Sequence, residues 1–222
     1  MRPSLVLLLA FAFSFGIYAE GTAEDSSTQE AAADHQTVSD LNLKMALQDT
    51  KDDFEGTRQV TIDAYIPDRK QMAAAARYAE QGKSDLATAM IQTLQLRPPR
   101  LESSIKFIRY DANGQRVYFI RCYVSSPQVP FEMTMLKVLV DGMLVEYDKV
   151  VKGEEFQGKS DSGPVYNVAY YVQATLDDFT RMGASTDTKL KVYSADDRSL
   201  IVQLDGADLQ YVRFFLRYLS NN

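Results

Sequence analysis

Residues 131–150, FEMTMLKVLVDGMLVEYDKV, constrain the fold most strongly, because apolar and polar side chains alternate on both sides of Asp141-Gly142. Successive side chains of a β-strand point to opposite faces, and Asp-Gly favours a two-residue hairpin turn that fixes the register of its strands. The facing pairs are then Val140 with Met143, Val138 with Val145, Leu136 with Tyr147, and Lys137 with Glu146. One face of this predicted hairpin is wholly apolar, and the other carries a pair of opposite charges.

Similar strand patterns occur along most of the chain after residue 57. Residues 59–67 alternate and end at Pro67, and residues 104–124 are predicted to form a hairpin. For that hairpin we expect a three-residue turn within 111–115, closed by a glycine. Residues 164–175 form a further predicted strand, and residues 189–204 a third hairpin. Hairpin connections imply mostly antiparallel pairing.

Two helices are predicted among and after these strands. Residues 175–183 begin with Thr175 as an N-cap and carry Asp178 three positions later, the spacing of a reciprocal capping pair. Residues 205–220 begin with Asp205 and continue with apolar side chains at helical spacing. We expect this last, amphipathic helix to pack on the sheet.

Residues 68–99 are rich in alanine and predict two helices separated by Gly82. Tyr78, Ala87, Ile91 and Pro99 fall at the spacing found in a tetratricopeptide repeat, so this stretch resembles one such repeat. The resemblance implies a pair of antiparallel helices. Because the sequence contains no second copy and such repeats need neighbours to share a core, we interpret the stretch as an ordinary helical hairpin.

The sequence therefore predicts an α+β fold over residues 57–222. We expect a mostly antiparallel β-sheet of seven or eight hairpin-connected strands, with an N-terminal helical hairpin and the C-terminal amphipathic helix packed on the sheet. A single domain of this size buries roughly 70% of the surface of its unfolded chain. That is a sufficient core without disulfides, which one cysteine cannot form within the chain.

The first nineteen residues have the pattern of a secretory signal. Arg2 provides positive charge, residues 5–17 form an apolar run, and cleavage is expected after Ala19 or Ala23. The apolar run is shorter than the ~20 residues that span a bilayer, so we expect no stable membrane span after cleavage. The chain also lacks an Asn-x-Ser/Thr acceptor. Together these features favour an exported bacterial protein, most simply one of the periplasm, with release from the cell as an alternative.

Residues 20–56 are acidic, with ten acidic and two basic side chains, and we expect this segment to be largely disordered. A short helix from Ser39 is the one element that its pattern suggests. Without the signal and this segment, residues 57–222 carry a net charge of +1. No basic cluster accompanies that charge, so nucleic-acid binding is not expected.

The sequence predicts no catalytic residue, metal ligand or cofactor. Cys122 shares a strand face with apolar neighbours, so we expect a core thiol without the cation that lowers a thiol pKa. His35 is the only histidine and lies in the acidic segment, away from any nucleophile. Adjacent acidic pairs include those at 52–53, 154–155, 177–178 and 196–197. Adjacent side chains do not face each other, so none of these pairs is by itself an acid/base dyad.

A candidate binding site lies in residues 152–163, a polar stretch with three glycines that we interpret as a long loop. Phe156 is an apolar side chain without an obvious core position there, and Lys159 belongs to the charged rim around it. Tyr171 is the second candidate, because it lies on the polar face of its predicted strand.

These observations favour a non-catalytic binding module of the bacterial envelope, with a protein or an envelope polymer as its partner. Two alternatives remain at this level. One is a hydrolase of envelope glycans with two distant carboxylates that converge in a pocket. The other is a structural subunit of an envelope assembly.

Overall fold

The computed structural model describes residues 40–222, so the predicted signal and most of the acidic segment lie outside the described residues. The elements, in chain order, are α1 (Asp40–Ala46), β1 (Leu47–Asp52), β2 (Thr57–Tyr65), α2 (Arg69–Glu80), α3 (Ser84–Gln95), β3 (Glu102–Ala112), β4 (Gln115–Pro127), β5 (Met133–Val140), β6 (Met143–Tyr147), β7 (Val150–Ser160), β8 (Gly163–Ala174), α4 (Leu176–Ala184), β9 (Thr188–Ser194), β10 (Ser199–Leu204) and α5 (Gly206–Asn221). The α+β prediction is confirmed.

The described chain divides into two compact units. Residues 68–97 form a helical unit of α2 and α3, and residues 40–67 with 98–222 form the α+β unit. The single domain expected over 57–222 therefore differs from the structure in two ways. The helical hairpin is a unit of its own, and the α+β unit begins before residue 57.

The helical unit is a hairpin that turns at Gly82. Gly82 has a φ of 72°, and the N–H of Lys83 donates to the carbonyl of Tyr78 at 2.8 Å while the N–H of Gly82 donates to that of Ala79 at 3.0 Å. These two bonds form a Schellman motif, which ends α2 as the sequence predicted. Arg97 Nη1 lies 2.7 Å from Asp68 Oδ1 and links the two ends of the hairpin.

The α+β unit contains two antiparallel sheets. The larger has the strand order β1-β2-β3-β4-β8-β7, and the smaller the order β10-β9-β5-β6. The β5–β6 register is the one that the Asp141-Gly142 turn predicted, including Lys137 opposite Glu146. The β3–β4 turn is tighter than expected. It has two residues, Asn113 and Gly114, which both adopt positive φ as a type I′ turn requires.

Two strands, β1 and β7, were not expected from the sequence. β1 arises from the acidic segment and pairs with β2 from Leu47 opposite Ile62 to Asp52 opposite Thr57. The helix before it, α1, buries Leu43 in the core, with 4% of its surface exposed. The disorder expected for residues 20–56 is therefore wrong for residues 40–52. The loop expected over 152–163 is also wrong, because residues 150–160 pair with β8 as β7.

One hydrophobic cluster joins the inner faces of both sheets to α4 and α5. Its centre is Phe179 of α4, whose ring stacks on Phe107 of β3 at 4.6 Å between centroids and meets Tyr118 and Phe215 at 5.8 and 6.1 Å. Both helices begin as predicted, since Thr175 with Asp178 and Asp205 with Asp208 form reciprocal capping boxes. The predicted packing of the C-terminal helix α5 on the sheet is confirmed by the buried Leu209, Val212, Phe215 and Leu219.

A polar network connects β1, β2 and α5. Arg58 donates to both carboxylate oxygens of Asp49, at 3.0 and 2.6 Å, and the hydroxyl of Tyr218 donates to the same carboxylate at 2.6 Å. The hydrogen bond from Arg58, and then that from Tyr218, lower the pKa of Asp49 to about 2 although burial acts against them. The edge strand β1, which was not expected from the sequence, is thus linked to α5 through Asp49, whose pKa lies well below its usual value.

This network predicts a specific loss of stability in acid. Asp49 binds its proton less tightly in the folded chain than in the unfolded chain, where the pKa of an aspartate is about 3.9. Its stabilising contribution is therefore present above about pH 4 and disappears as the pH falls towards about 2. In urea unfolding across this range, Asp49→Asn should be less stable than wild type at neutral pH, and the difference should shrink in acid. A constant difference at every pH would contradict the assignment.

Candidate functional site

Cys122 is a core residue, as its strand pattern predicted. Its side chain is fully buried, and burial raises the pKa of the thiol to about 12. A thiol with such a pKa is almost entirely protonated at neutral pH, whereas nucleophilic cysteines react as thiolates. Cys122 therefore fills space between β3 and β8, opposite Ile105 and Tyr170.

The acidic pairs at the start of α4 and in the β9–β10 turn have local structural partners. Asp178 accepts hydrogen bonds from the backbone N–H and hydroxyl of Thr175, both at 2.8 Å, while Asp177 pairs with Arg181 at 2.5 Å. Asp196 accepts from Ser194 and pairs with Arg198 at 2.7 Å. Among the described residues, no group of acidic, histidine and cysteine side chains could hold a metal ion.

A small cavity lies between the smaller sheet and α4. Its volume is about 10 Å³, about the least that one water molecule needs. The hydroxyl of Tyr147 is buried, and its pKa is raised first by that burial and then by the charge of Asp178. The lining residues are Val138, Val140, Met143, Val145, Tyr147, Asp178, Arg181 and Met182. One carboxylate that already caps a helix does not provide the two opposed acids of a glycan hydrolase.

The three predicted binding residues lie on two adjacent strands of the larger sheet. Phe156 and Lys159 belong to β7, and Tyr171 belongs to β8. Phe156 lies opposite Asn167, and Tyr171 lies opposite Val151 near the other end of the strand pair. The structure thus places Phe156 and Lys159 along the edge strand and Tyr171 one strand further in, beside residues of β4.

Tyr171 belongs to a row of side chains that crosses five strands on the outer face of the larger sheet. Asp63 lies opposite Lys106, Lys106 opposite Arg121, Arg121 opposite Tyr171, and Tyr171 opposite Val151. Lys106 and Asp63 form an ion pair at 3.3 Å. Arg121 follows next in the row, and two aromatic rings flank it.

The guanidinium of Arg121 lies between Tyr123 and Tyr171, with its central carbon 5.3 and 5.9 Å from the two ring centroids. Arg121 Nη2 is 3.8 Å from the carboxylate of Glu154, which accepts a 3.1 Å hydrogen bond from the hydroxyl of Tyr171. We name Arg121, Tyr123, Glu154 and Tyr171 the Tyr171 patch. Arg121 retains 25% of its side-chain exposure, so the patch forms part of the surface.

The ionisation of the patch follows from these contacts. The backbone N–H of Glu154 itself, then Tyr171 and Arg121, lower the pKa of the Glu154 carboxyl. Burial is the main cause that raises the pKa of Tyr171, with smaller contributions from the hydrogen bond and charge of Glu154. At neutral pH the patch therefore carries the Glu154 carboxylate and the neutral phenol of Tyr171.

Gly153 makes the position of the Tyr171 ring possible. A Cβ at Gly153 would lie 2.4 Å from Cε2 of Tyr171, closer than any ordinary contact. The glycine lies in the irregular part of β7 between Lys152 and Glu155, where a bulge interrupts the register. Gly153, one of the three glycines that suggested a loop, thus leaves space in the edge strand β7 for the ring of Tyr171.

Gly153→Val is therefore expected to displace the Tyr171 ring without removing any side chain of the patch. The added atoms occupy its place, so the hydrogen bond to Glu154 should be lost while the fold persists, because Gly153 is exposed on an edge strand. Tyrosine fluorescence and proton NMR of the ring should report the displacement. Gly158→Val is the matched control, because the nearest side-chain atom to its Cβ is 3.8 Å away. Equal ring shifts in both variants would contradict the packing.

Sequence reasoning found Tyr171 but missed the other members of the patch. Arg121 and Tyr123 share the face of β4 that is opposite to Cys122, and this alternation was visible in the sequence. Their neighbours on β8 could not be assigned, because residues 128–162, which include all of β5, β6 and β7, separate β4 from β8.

A similar cluster on the smaller sheet shows that cation–aromatic contacts alone do not distinguish the patch. Tyr193 of β9 lies 4.7 Å from the ammonium of Lys191 and 5.6 Å from that of Lys137. Lysine ammonium groups are strongly hydrated point charges, whereas a guanidinium is planar and binds carboxylates through a fork of donors. The Tyr193 cluster is therefore a useful control surface.

Within residues 40–222, no helix is both long and apolar enough to cross a membrane. Comparisons of the chain with protein-family models, with curated proteins and with solved structures find no match.

Proposed function

We propose that this chain is an exported, non-catalytic binding protein of the bacterial envelope, and that the Tyr171 patch contacts its partner. Export rests on the signal pattern of residues 1–19. The observation that carries the binding role is the surface guanidinium of Arg121 between two tyrosine rings. Tyrosine and arginine are the residue types that most often dominate the binding energy of interfaces.

The patch favours a particular chemistry in the partner. Arg121 is only loosely paired with Glu154, at 3.8 Å, and its Nε is buried without a hydrogen-bond partner, so its terminal nitrogens are the donors offered to an incoming acceptor. The tyrosine rings on either side offer flat apolar surfaces with polar tips. A partner that presents a carboxylate beside an apolar side chain or a sugar ring fits this arrangement. Envelope proteins and envelope polymers both provide such groups.

A capture experiment tests this role. The mature protein is immobilised and exposed, in separate arms, to soluble periplasmic extract and to purified cell-wall polymer from the bacterium that makes it. We expect Arg121→Gln and Tyr171→Ala to lower capture about tenfold or more, as loss of a central interface residue does. Tyr193→Ala is the control and should capture like wild type. Undiminished capture by both patch variants would contradict the proposed surface.

The same experiment separates binding from hydrolysis. Soluble fragments released from the polymer by the wild-type protein, and not by buffer, would support the alternative of a carboxylate-dependent hydrolase. Fractionation of the same cells, with N-terminal sequencing of the mature chain, tests export. A start after Ala19 or Ala23 is the expected result, and an uncleaved cytoplasmic chain would contradict it.

A further inference from the structure

Among residues 40–222, no strand pairs with the outer side of β7, the last strand of the larger sheet, so this edge is free within the described structure. On its other side, β7 pairs with β8. Most of its residues are exposed, and Val151 and Phe156 retain 62% and 66% of their surface in contact with solvent. Unpaired backbone groups along such an edge are available for hydrogen bonds to a further strand.

Pro164 reveals which backbone groups of β7 face that free edge. Pro164 lies opposite Lys159, lacks an N–H, and directs its carbonyl to the N–H of Gln128 at 2.8 Å, on the side away from β7. Lys159 therefore has no backbone hydrogen bonds with its partner on β8. Hydrogen-bonded and non-bonded pairs alternate in an antiparallel ladder, so Gln157 and Glu155 are also non-bonded towards β8. The N–H and C=O groups of all three residues point to the free edge.

The charges of these three side chains are complementary to those of a second copy of β7 that runs in the opposite direction. If two β7 strands pair antiparallel about Gln157, Glu155 lies opposite the partner's Lys159, and Lys159 opposite the partner's Glu155. Opposite charges at directly facing positions stabilise a strand pair. Phe156 then lies opposite the partner's Gly158, which leaves space for the ring.

In other registers the same backbone N–H and C=O groups of the two copies can also face each other, but the side-chain charges are less favourable. A centre at Glu155 places two carboxylates opposite each other. A centre at Gly158 brings Glu155 to the end of the partner strand, next to Asp161 of its turn. A centre at Phe156 places Glu155 opposite an uncharged glutamine. Charge thus selects the register centred on Gln157.

We propose that two copies of this chain form a symmetric dimer by antiparallel pairing of their β7 strands about Gln157. Three residue pairs then exchange both of their backbone hydrogen bonds, and two six-stranded sheets become one continuous sheet. The bulge between Lys152 and Glu155 ends the new ladder at one side, and the turn after Ser160 ends it at the other.

The dimer goes beyond the proposed partner binding and has a consequence for it. The two-fold axis of an antiparallel strand pair is perpendicular to the sheet, so the outer faces of both copies lie on the same side. Both Tyr171 patches then face one direction and can engage a repetitive partner at two points. Two linked sites bind such a partner more tightly than one.

Analytical ultracentrifugation of charge variants tests the pairing. Wild type should change from monomer to dimer as its concentration rises, because one strand pair makes an interface smaller than the ~1,200 Å² of stable complexes. Lys159→Glu converts two attractive pairs into two repulsive ones and should raise the dimer dissociation constant about tenfold or more. Glu155→Lys combined with Lys159→Glu restores the complementarity and should restore the dimer. Wild type that stays monomeric at its highest soluble concentration would overturn the proposal.

Disulfide capture tests the register independently. Facing Cα atoms in a hydrogen-bonded pair lie about 5.5 Å apart, within the range of a disulfide. Gln157→Cys should therefore give a covalent dimer under mild oxidation, without interference from the buried Cys122. Glu155→Cys is the control, because its facing residue is the partner's Lys159, and it should remain largely uncrosslinked. Equal crosslinking of the two variants would overturn the register. Wild type that stays monomeric while Arg121→Gln still lowers polymer capture would overturn the dimer and leave the proposed function in place.

Discussion

Phe179→Ala is expected to lower the free energy of unfolding by about 3–5 kcal/mol, the range for a large aromatic side chain removed from a core. Phe179 has no exposed surface, and its ring contacts aromatic rings of β3, β4 and α5. Its removal leaves a void where both sheets and two helices meet. Urea unfolding monitored by circular dichroism measures the loss.

Phe156→Ala is the matched control for this substitution. It deletes the same atoms from a residue with 66% of its surface exposed, and its cost should stay within about 0.5 kcal/mol. Similar losses in the two variants would show that α4 is not packed in the core as described. The control should be measured at low protein concentration, where a β7-mediated dimer is dissociated.

Asp111→Ala is expected to lower the free energy of unfolding by about 3 kcal/mol, because it leaves a buried charge without its counter-charge. Arg109 is completely buried on the inner face of β3, and its Nη2 lies 2.9 Å from Asp111 Oδ2. The guanidinium has no well-aligned hydrogen bond to another described residue, so Asp111 is its main source of compensation. Thermal and urea unfolding should both show the loss.

The double variant Arg109→Met with Asp111→Ala distinguishes this explanation from simple loss of packing. It removes both charges and keeps an apolar chain of similar length in the core. Well-packed apolar replacements of buried ion pairs are often neutral or stabilising. We therefore expect the double variant to be more stable than Asp111→Ala alone. A double variant that is less stable than the single one would contradict the electrostatic explanation.

The sequence predicted the strands with an alternating apolar face, including the edge strands β6 and β10 of the smaller sheet, and missed β1 and β7, the two edge strands of the larger sheet. Residues 133–147 alternate clearly because one face of β5 is buried in the core and the half-buried Val145 and Tyr147 of β6 lie opposite that face. Their register followed from Asp141-Gly142. β1, with the sequence LQDTKD, and β7, with VVKGEEFQGKS, have mostly exposed side chains on both faces. Because neither face of these strands is buried, they lack the alternation of a half-buried strand, and their polarity resembles that of a loop.

The candidate site was only partly predictable for a different reason. Tyr171 was identified from the polar face of its own strand, which is a local property. Its contacts with Arg121 and Gly153 depend on β8 inserting between β4 and β7. Pairing between strands distant in sequence leaves no periodic signal in either strand, so only the three-dimensional structure brings these residues together.

Site-specific photocrosslinking in the cells that make the protein tests the binding role of the Tyr171 patch most directly. A photoreactive amino acid replaces Gln173, which is exposed and lies two residues from Tyr171 on the same face of β8. The control position is Ile201, which is 65% exposed on the smaller sheet. We predict a covalent adduct with an envelope component from position 173 and none from position 201. An adduct from position 201 alone, or none from either position, would contradict the account.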